Sequence, residues 1–527
     1  MPGSDVGEKV GQLALNTDTI FANTDTIFAP ATAAGRAAVA IVRISGPETA
    51  GALIALTGDL PPPRAMRRRR LVDPDSGEPL DDALVLWFPA PRSFTGEDVA
   101  ELHLHGSRAV LAAVMDALRR PGLRLAEPGE FTRRAFYNGK LDLTQAEAIA
   151  DLAAAETEAQ RRQALRQLDG ELGGLYRDWA QRLTRALAHL EAVIDFPDED
   201  LPPAIEKQIV AEIDSLGSEI ASHLADGHRG ERLRDGIAVA IVGPPNAGKS
   251  SLLNRIARRE AAITSPIPGT TRDIVEVAID LAGYPVVLAD TAGLREAADP
   301  IEEEGLRRAR RRAANAEIRL FVYDALHPED AAGAAAWPGP DTILVANKID
   351  LLPEIPLRPS GGRGWGPSSS DGRERWACGS AVESPTSPQP SLPHGAERGD
   401  EPAAVDYDCP EIRGSPCIME VEDEQRAASP SFPVSTVTGE GLDTLLTALA
   451  ARIAAIYRIE APVLTRTRHR QALEDAAAAL DRALTAQFPE LRAEDLRLAL
   501  RSLGHITGTV EVEDLLDIIF RDFCLGK

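Results

Sequence analysis

The sequence predicts a fold of mixed α/β and α class: a small N-terminal α/β domain, a discontinuous helical-bundle domain, and, inserted into the bundle, a phosphate-loop domain with a doubly wound, mostly parallel sheet. Three observations lead there. Gly243 to Ser251 reads GPPNAGKSS directly after the apolar run Ile237 to Val242, so strand, phosphate loop and helix start follow in order. Leucines step by three and four residues between Leu165 and Leu190, and a similar stripe returns after Ala461. Short apolar or alternating runs, broken by turn residues, fill the chain up to Asn138. The expected boundaries are 1–138 with 1–22 unstructured, 139–232, 233–455, and 456–527.

Within the first part, Ala37 to Ile44 and Ala83 to Phe88 read as strands, Val99 to His105 alternates, and Arg108 to Arg119 reads as a helix. Asn16 to Ala22 is repeated unchanged as Asn23 to Ala29, which predicts a duplicated start whose first copy is unstructured. The run Arg67 to Arg70 after three prolines is read as a solvated loop. His103 and His105 share one strand face; with no third ligand in sight, a structural or substrate-edge role is favoured over a metal pair.

The helical part starts with one long amphipathic helix carrying Leu165, Leu168, Leu172, Leu175, Trp179, Leu183, Leu187 and Leu190, ended by Asp195-Phe196-Pro197. Ile209, Ile213, Leu216, Ile220 and Leu224 repeat the stripe in a second helix. After Ala461 it resumes through Leu473, Leu480 and Leu484 and runs on from Leu491 to Phe523. Two such blocks around one α/β domain most simply form a single bundle.

Between them lies the chemistry. Glycines let backbone N–H groups close around a β-phosphate. Lys249 is placed to bridge β- and γ-oxygens, and the Ser250 hydroxyl is placed for Mg²⁺. Asn246, Ala247, Gly248 and Ser251 complete the loop. Gly269-Thr270-Thr271-Arg272 supplies a second Mg²⁺ ligand, Thr271, in a segment that tightens only around a γ-phosphate. Asp290-Thr291-Ala292-Gly293 ends the apolar strand Pro285 to Ala289; its aspartate reaches Mg²⁺ through water and its glycine N–H senses the γ-phosphate.

Asn347-Lys348-Ile349-Asp350 follows the strand Thr342 to Ala346 and fixes the nucleotide as GTP. The Asp350 carboxylate can accept from N1–H and the 2-amino group of guanine. Adenine offers neither donor, a difference worth about 1 to 3 kcal/mol or more. A last strand and a second guanine loop are expected at Pro433 to Thr436, with Ser435, Thr436 and Val437 against the base.

The residue after Gly293 is Leu294, where many switch GTPases carry a water-orienting glutamine. The attacking water must be positioned from elsewhere, with Arg272, Arg295, Glu296 and Glu302 as candidates, or charge must be neutralised by a partner. The Asn246 amide oxygen suits a monovalent cation beside the phosphates, and its position also suits a turn-forming Asn with no ligand.

A net charge of −24 argues against broad phosphate-driven nucleic-acid binding, so any RNA contact is local or delegated. No apolar stretch approaches the roughly 18 uncharged residues of a membrane span, which predicts a soluble, cytoplasmic protein. Cys378, Cys409, Cys417 and Cys524 form neither a disulfide framework nor a usual zinc spacing. Pro, Ser and Gly supply 32 of the 80 residues from 353 to 432, above the roughly 25 to 30% typical of disorder, so a disordered insertion is expected there.

Motifs spread over all three parts resemble the MnmE (TrmE) family of tRNA uridine-modification GTPases. They are Asp25-Thr26-Ile27, Gly35 to Gly46, Ser93 to Asp98, Pro128 to Thr132 with Arg134-Ala135-Phe136, Asn138 to Leu143, Gln145 to Ala148, and Phe523 to Lys527. The resemblance implies a Ras-like GTPase domain and an N-terminal domain that binds 5-formyl- or methylene-tetrahydrofolate and dimerises the chain. It also implies an FAD-containing partner of the MnmG (GidA) type in a heterotetramer, acting on C5 of the wobble uridine of tRNA with an aminomethyl or carboxymethylaminomethyl product. Folate-contacting positions carry over to Arg43, Glu101, Lys140 and Lys527, and a C-terminal cysteine of suspected reactivity to Cys524.

The family resemblance further implies a K⁺ ion in place of an arginine finger, with paired GTPase domains meeting across it. Asn246 matches its side-chain ligand, and Ser265, Ile267 and Thr270 lie near the backbone ligands; Pro266 and Pro268 sit in the same nucleotide-contacting stretch. Glu302 matches the water-orienting glutamate, although Glu302-Glu303-Glu304 by itself reads as a solvated run. The chain departs from the family pattern at Ala33-Ala34, Ala37-Ala38, Ser107, Thr436 and the insertion. The rival reading, an Era-type ribosome-assembly GTPase, expects a basic RNA-binding domain after the GTPase; this chain ends in helices and Cys524-Leu525-Gly526-Lys527.

Overall fold

A computed structural model describes residues 25–196, 204–260, 276–290, 316–336, 341–352, 431–458 and 462–510, with 516, 519, 520, 523 and 526. The first tandem copy, at 16–22, lies outside the described residues. So do 353–430, which carry most of the expected insertion and three of the cysteines. The described residues fall into two units: up to 237, 278–287 and from 450 onward form one, and the rest of 238–449 form the other.

The first unit begins with a six-stranded sheet made of β1 (Ile27–Pro30), β2 (Val39–Ser45), β3 (Arg67–Val72), β4 (Pro79–Phe88), β5 (Val99–His105) and β6 (Arg124–Leu125). Its order is β3-β4-β5-β2-β1-β6. Period-two alternation sets the faces: Ala40, Val42 and Ile44 are buried, and Arg43 points the other way. Against the buried face pack α1 (Thr49–Thr57) and α2 (Arg108–Arg119), whose Leu53, Leu56, Val114 and Leu118 join Phe28, Leu102 and Leu104 in one core. The Ser107 side chain caps α2 by accepting from the Val110 N–H at 3.1 Å. A third helix, α3 (Glu130–Tyr137), buries Phe131 and Arg134.

Arg67 to Arg70 is strand rather than loop. These residues form β3 at the sheet edge, with Arg69 opposite Ala83 and Arg70 opposite Asp82. Arg69 Nε donates to Asp59 Oδ1 at 2.7 Å. Cations suit an edge strand because they discourage further strand addition, but four identical residues show no alternation to read.

The helical part follows as α4 (Leu143–Ala154), α5 (Glu158–Leu168), α6 (Glu171–Asp195), α7 (Ala204–Leu224) and α8 (Arg229–Asp235). The long first helix is therefore two. Gly170 adopts φ +88°, a left-handed conformation that ends α5 and opens α6, so Leu165 and Leu168 stand on a separate helix. Capping boxes at Asp142/Gln145 and Thr157/Gln160 start α4 and α5.

The second unit's sheet draws on β7 (Ile237–Val242), β8 (Glu276–Leu281), β9 (Tyr284–Asp290), β10 (Ile318–Asp324), β11 (Thr342–Asn347) and β12 (Ser431–Pro433) in the order β12-β11-β10-β7-β9-β8. Strands β7, β10, β11 and β12 are parallel, and α9 (Lys249–Arg259) follows β7. The expected insertion ends early: Ser431 and Phe432 are already strand, paired with Leu344 and Val345. The strand ends at Pro433, and Ser435 and Thr436 stand in the loop after it.

After α10 (Leu442–Ile456), α11 (Thr467–Thr485) and α12 (Pro489–Thr507) return to the first unit. Leu473, Leu480, Leu496 and Leu503 share one core with Leu172, Trp179, Leu190, Ile213 and Ile220, so the two blocks form one bundle. Gly508 at φ +83° terminates α12 and Leu491 is exposed, while beyond it, among the described residues, Leu516, Phe520 and Phe523 are buried in a core with Leu143 and Ala146. No described helix is long and apolar enough to cross a membrane.

Candidate functional site

The phosphate loop is shaped by glycines with no room for a side chain. A Cβ on Gly243 (φ +141°) would lie 2.0 Å from the Val322 carbonyl oxygen, and one on Gly248 (φ +92°) would lie 2.1 Å from Asn347 Nδ2. Lys249 opens α9, and its Nζ donates to the Gly243 and Pro244 carbonyls at 3.0 and 2.7 Å. Burial pulls the pKa of this ammonium below its usual value, and the Asp290 charge opposes the shift. The Ser250 hydroxyl donates to Asp290 Oδ2 at 2.5 Å, so two of the three residues assigned to Mg²⁺ stand together. A hydroxyl and a carboxylate form a hard-oxygen donor set that fits Mg²⁺. Asn246 is exposed at φ +61°, a conformation that the turn-forming reading also requires.

The base-reading end is tied to this loop. Asn347 is fully buried; its Nδ2 donates to the Ala247 carbonyl at 2.8 Å and its Oδ1 accepts from the Thr436 N–H at 3.2 Å. The Ser435 hydroxyl donates to Asp350 Oδ1 at 2.6 Å while accepting from the Val437 and Thr438 N–H groups. Asp350 sits on a 3₁₀ turn, Ile349–Leu351, right after β11. Lys348, at φ +67°, reaches Asp324 Oδ2 at 2.8 Å. Burial alone would raise the Asp324 pKa, but the Lys348 ammonium and the Leu326 N–H hold it low.

A second constellation lies in the first unit. Arg43 Nε and Nη2 donate to Glu101 Oε1 at 3.1 and 2.9 Å, across the β2–β5 pair where the two residues are register partners. Arg43 Nη1 donates to the Gly526 carbonyl at 3.1 Å, and its guanidinium lies 5.5 Å from the Phe94 ring and 5.8 Å from the Phe131 ring. Lys140 Nζ donates to the Pro91 carbonyl at 3.0 Å, at the start of the loop that carries Phe94. Carboxylate, guanidinium and aromatic faces in one place fit a pterin with its anionic tail. His103 Nε2 lies 3.4 Å from Glu101 Oε2, whereas His105 Nδ1 pairs with Asp81 Oδ1 at 2.7 Å, so the histidines have separate carboxylate partners.

Several assigned residues lie outside the described residues: Ser265, Pro266, Ile267, Pro268, Gly269, Thr270, Thr271 and Arg272; Thr291, Ala292, Gly293 and Glu302; Cys524 and Lys527. Two participants were not among the assigned site residues. Asp324 ends the run Leu320 to Tyr323, apolar apart from the tyrosine hydroxyl, just as Asp290 ends its own, and that parallel was the available signal. The nearly fully buried Arg134 bonds Asp25 Oδ1 at 2.8 Å, Glu130 Oε1 at 3.1 Å and Glu97 Oε2 at 3.2 Å. Asp25 and Glu97 are far from it in sequence and no periodicity marks them, whereas Glu130 stands four residues back on the same helix.

The chain is similar throughout its length to known proteins. A family model described as the MnmE helical domain matches residues 143–524, and one described as the GTP-binding protein TrmE N-terminus matches residues 26–140. A tRNA modification GTPase MnmE of Rhodospirillum rubrum is 54% identical over 97% of this chain and 100% of the relative. A protein of the same name from Paramagnetospirillum magneticum is 51% identical over 94% and 98%. The human mitochondrial 5-taurinomethyluridine-[tRNA] synthase subunit GTPB3 is 45% identical over 94% and 91%. Among solved structures, the G domain of the T. maritima FeoB iron transporter matches with 20% identity over 41% of this chain and 98% of that one, at a TM-score of 0.22. With two matching family models and close relatives spanning nearly the whole sequence, this chain belongs to the MnmE (TrmE) family of tRNA modification GTPases.

Proposed function

We propose that this GTPase hydrolyses GTP to drive modification at C5 of the wobble uridine of tRNA. The observation that carries the nucleotide part is the bond from Asn347 Nδ2 to the Ala247 carbonyl, 2.8 Å, which locks the guanine-reading segment to the phosphate loop. Base identity and phosphate position are thereby set by one rigid piece. Ser250 and Asp290 would hold Mg²⁺, directly and through water, with Thr271 as a second direct ligand. The ion would neutralise charge on the phosphate oxygens when bound.

The finer reading adds K⁺ and folate. Leu294 has no group that can orient water, so Glu302 is assigned that role. K⁺ held by Asn246 and backbone oxygens at Ser265, Ile267 and Thr270 is assigned the charge neutralisation that an arginine finger performs elsewhere, worth about 10³ to 10⁵ in rate. Arg43, Glu101 and Lys140, with Lys527, would bind the tetrahydrofolate; Cys524 stays a candidate nucleophile. A homodimer, completed by an FAD-containing MnmG-type partner, would present these centres to the tRNA. The name of the human relative, a tRNA taurinomethyluridine synthase subunit, supports the uridine target. An Era-type assembly role would need a basic RNA-binding domain after the GTPase, where this chain has α11 and α12.

GTP turnover by the full chain in K⁺ and Na⁺ buffers tests the cation assignment. At least about tenfold faster hydrolysis in K⁺ is expected, falling to the Na⁺ rate in Asn246→Ala. Equal rates in the two salts overturn it.

A further inference from the structure

The four arginines of β3 take no part in either constellation above, and they continue a longer row of cations within the first unit. Arg64, in the turn before β3, donates to the Arg92 carbonyl, and its guanidinium lies 5.9 Å from the Phe88 ring. Arg92 is exposed and follows Pro91, whose carbonyl accepts from Lys140 Nζ at 3.0 Å. The row therefore starts at the loop that carries Phe94 and runs along the sheet edge to Arg70.

Arg64, Arg67, Arg68, Arg69, Arg70 and Arg92 make up the row, and Asp59 and Asp82 are the only carboxylates paired with them among the described residues. Arg69 takes Asp59 at 2.7 Å. Arg68 and Arg70 share Asp82, at 3.3 and 4.0 Å, with side chains 75% and 66% exposed. Ion pairs so open to water are worth little and exchange readily for another anion. Arg67 donates to the Met66 carbonyl at 3.1 Å and to no carboxylate. Asp81, the neighbouring carboxylate on β4, is occupied by the His105 N–H and Nδ1 at 2.8 and 2.7 Å. In a chain of net charge −24 this edge is a local reversal of sign, which concentrates a polyanion at one place.

Register puts the exposed arginines on the same sheet face as the folate constellation. Arg68 is opposite Leu84 and Leu84 is opposite His103, while Glu101, the partner of Arg43, stands two residues from His103 along β5. Arg70, two residues from Arg68, shares that face. Two strand spacings, about 10 Å, separate Arg68 from His103. Phe131 of α3 closes the β1 end of the face against Ile27 and Ala29, whereas Leu84 is 40% exposed, so the face stays open toward β3.

We infer that this row holds the phosphate backbone of the tRNA anticodon arm beside the folate constellation. Guanidiniums suit phosphodiesters because their planar N–H groups can meet two oxygens at once. Contacts of this kind set position without reading sequence, so the arginines orient the arm while the wobble uridine faces Arg43 and Glu101. The inference rests on the tRNA reading above and adds to it the surface that receives the RNA.

The test measures binding of the full chain to an unmodified transcript of a tRNA with uridine at the wobble position, across a salt titration. Arg68→Glu with Arg70→Glu is expected to weaken binding about tenfold or more and to flatten the slope of log affinity against log salt by about 1 to 2. Arg68→Lys with Arg70→Lys keeps the charges and is expected to stay within about threefold of wild type. Arg185→Glu with Lys207→Glu, exposed on α6 and α7, makes the same change in net charge elsewhere and is expected to stay within about twofold. Unchanged GTP turnover and 5-formyl-tetrahydrofolate affinity show that the reversed variant is folded, and an unchanged elution volume on gel filtration separates RNA contact from a subunit interface. Wild-type affinity and slope in the reversed variant overturn the inference. So do an equal loss in the Arg185 and Lys207 variant, a loss that comes with dissociation of subunits, and absence of transcript binding by the wild-type chain. Failure of the tRNA reading itself is distinguishable, because it shows as an unchanged nucleoside profile in cells lacking the protein.

Discussion

The Ser250 hydroxyl donates to Asp290 Oδ2 at 2.5 Å, joining the first turn of α9 to the end of β9. A phosphate loop and a strand end forty residues apart thus share one hydrogen bond, and that bond places both oxygen donors where a divalent cation would sit. Ser250→Ala is expected to lower Mg²⁺-dependent GTP hydrolysis about a hundredfold or more, with little change in the thermal midpoint. Steady-state turnover across a Mg²⁺ titration measures it. Hydrolysis within twofold of wild type would remove Ser250 from the metal site.

Asp350 is held by the Ser435 hydroxyl at 2.6 Å, which leaves the rest of the carboxylate for the base. Asp350→Asn is expected to weaken GTP binding about tenfold to a hundredfold and to shift preference toward xanthosine triphosphate, whose ring carries a carbonyl where guanine has its amino group. Competition binding with the two nucleotides gives the ratio.

Arg43→Ala should cut tetrahydrofolate affinity at least about tenfold while leaving GTP turnover intact. The same change removes the Arg43 bond to the Gly526 carbonyl and so frees a C-terminal contact. Fluorescence titration with 5-formyl-tetrahydrofolate, run beside a GTPase assay, separates the folate effect from general loss of fold.

His469 gives the bundle a pH dependence. It is fully buried, its Nε2 donates to Glu147 Oε2 at 2.9 Å, and its Nδ1 has no partner. Burial, reinforced by the Arg468 charge, pushes its pKa down to about 4, although Glu147 pulls the other way. Protonation would place an unpaired N–H in the core, so between the unfolded value near 6.5 and the folded value of about 4 the unfolded state binds more protons. Stability is therefore lost as pH falls through that window. His469→Gln is expected to flatten the fall in urea midpoint across it. For Glu147, burial favours the neutral acid, but Arg468 and His469 outweigh it and hold the carboxylate below its usual range. That contribution is lost only at still lower pH.

Packing gives the most direct stability test. Trp179 is almost fully buried in the bundle core, and its Nε1 donates to Glu219 Oε2 at 3.0 Å. Trp179→Ala is expected to cost about 3 to 5 kcal/mol, read by chemical denaturation followed through helical circular dichroism.

The nucleotide site was the most legible part of the sequence because its chemistry is local. A few consecutive residues make each loop, so Gly243 to Ser251 and Asn347 to Asp350 announced their structures directly. Asp324 was harder to see, since its role depends on Lys348 bending back at positive φ to meet it. The single bundle was readable from two matching leucine stripes, but the break at Gly170 was hidden by a stripe that continues across it. Arg67 to Arg70 misled for the opposite reason: edge position made them strand, and edge position is a property of the whole sheet. Apart from the Glu130–Arg134 pair one turn apart on α3, the Arg134 and Glu147 clusters were illegible as physics because their partners come from distant segments, so only family motifs pointed to those residues.

The central claim is that this GTPase acts on tRNA wobble uridine. Mass spectrometry of tRNA nucleosides from cells lacking the protein tests it most directly. The account predicts loss of C5-modified wobble uridine, restored by the wild-type gene and not by the Ser250→Ala form. An unchanged nucleoside profile in the deletion strain would contradict it.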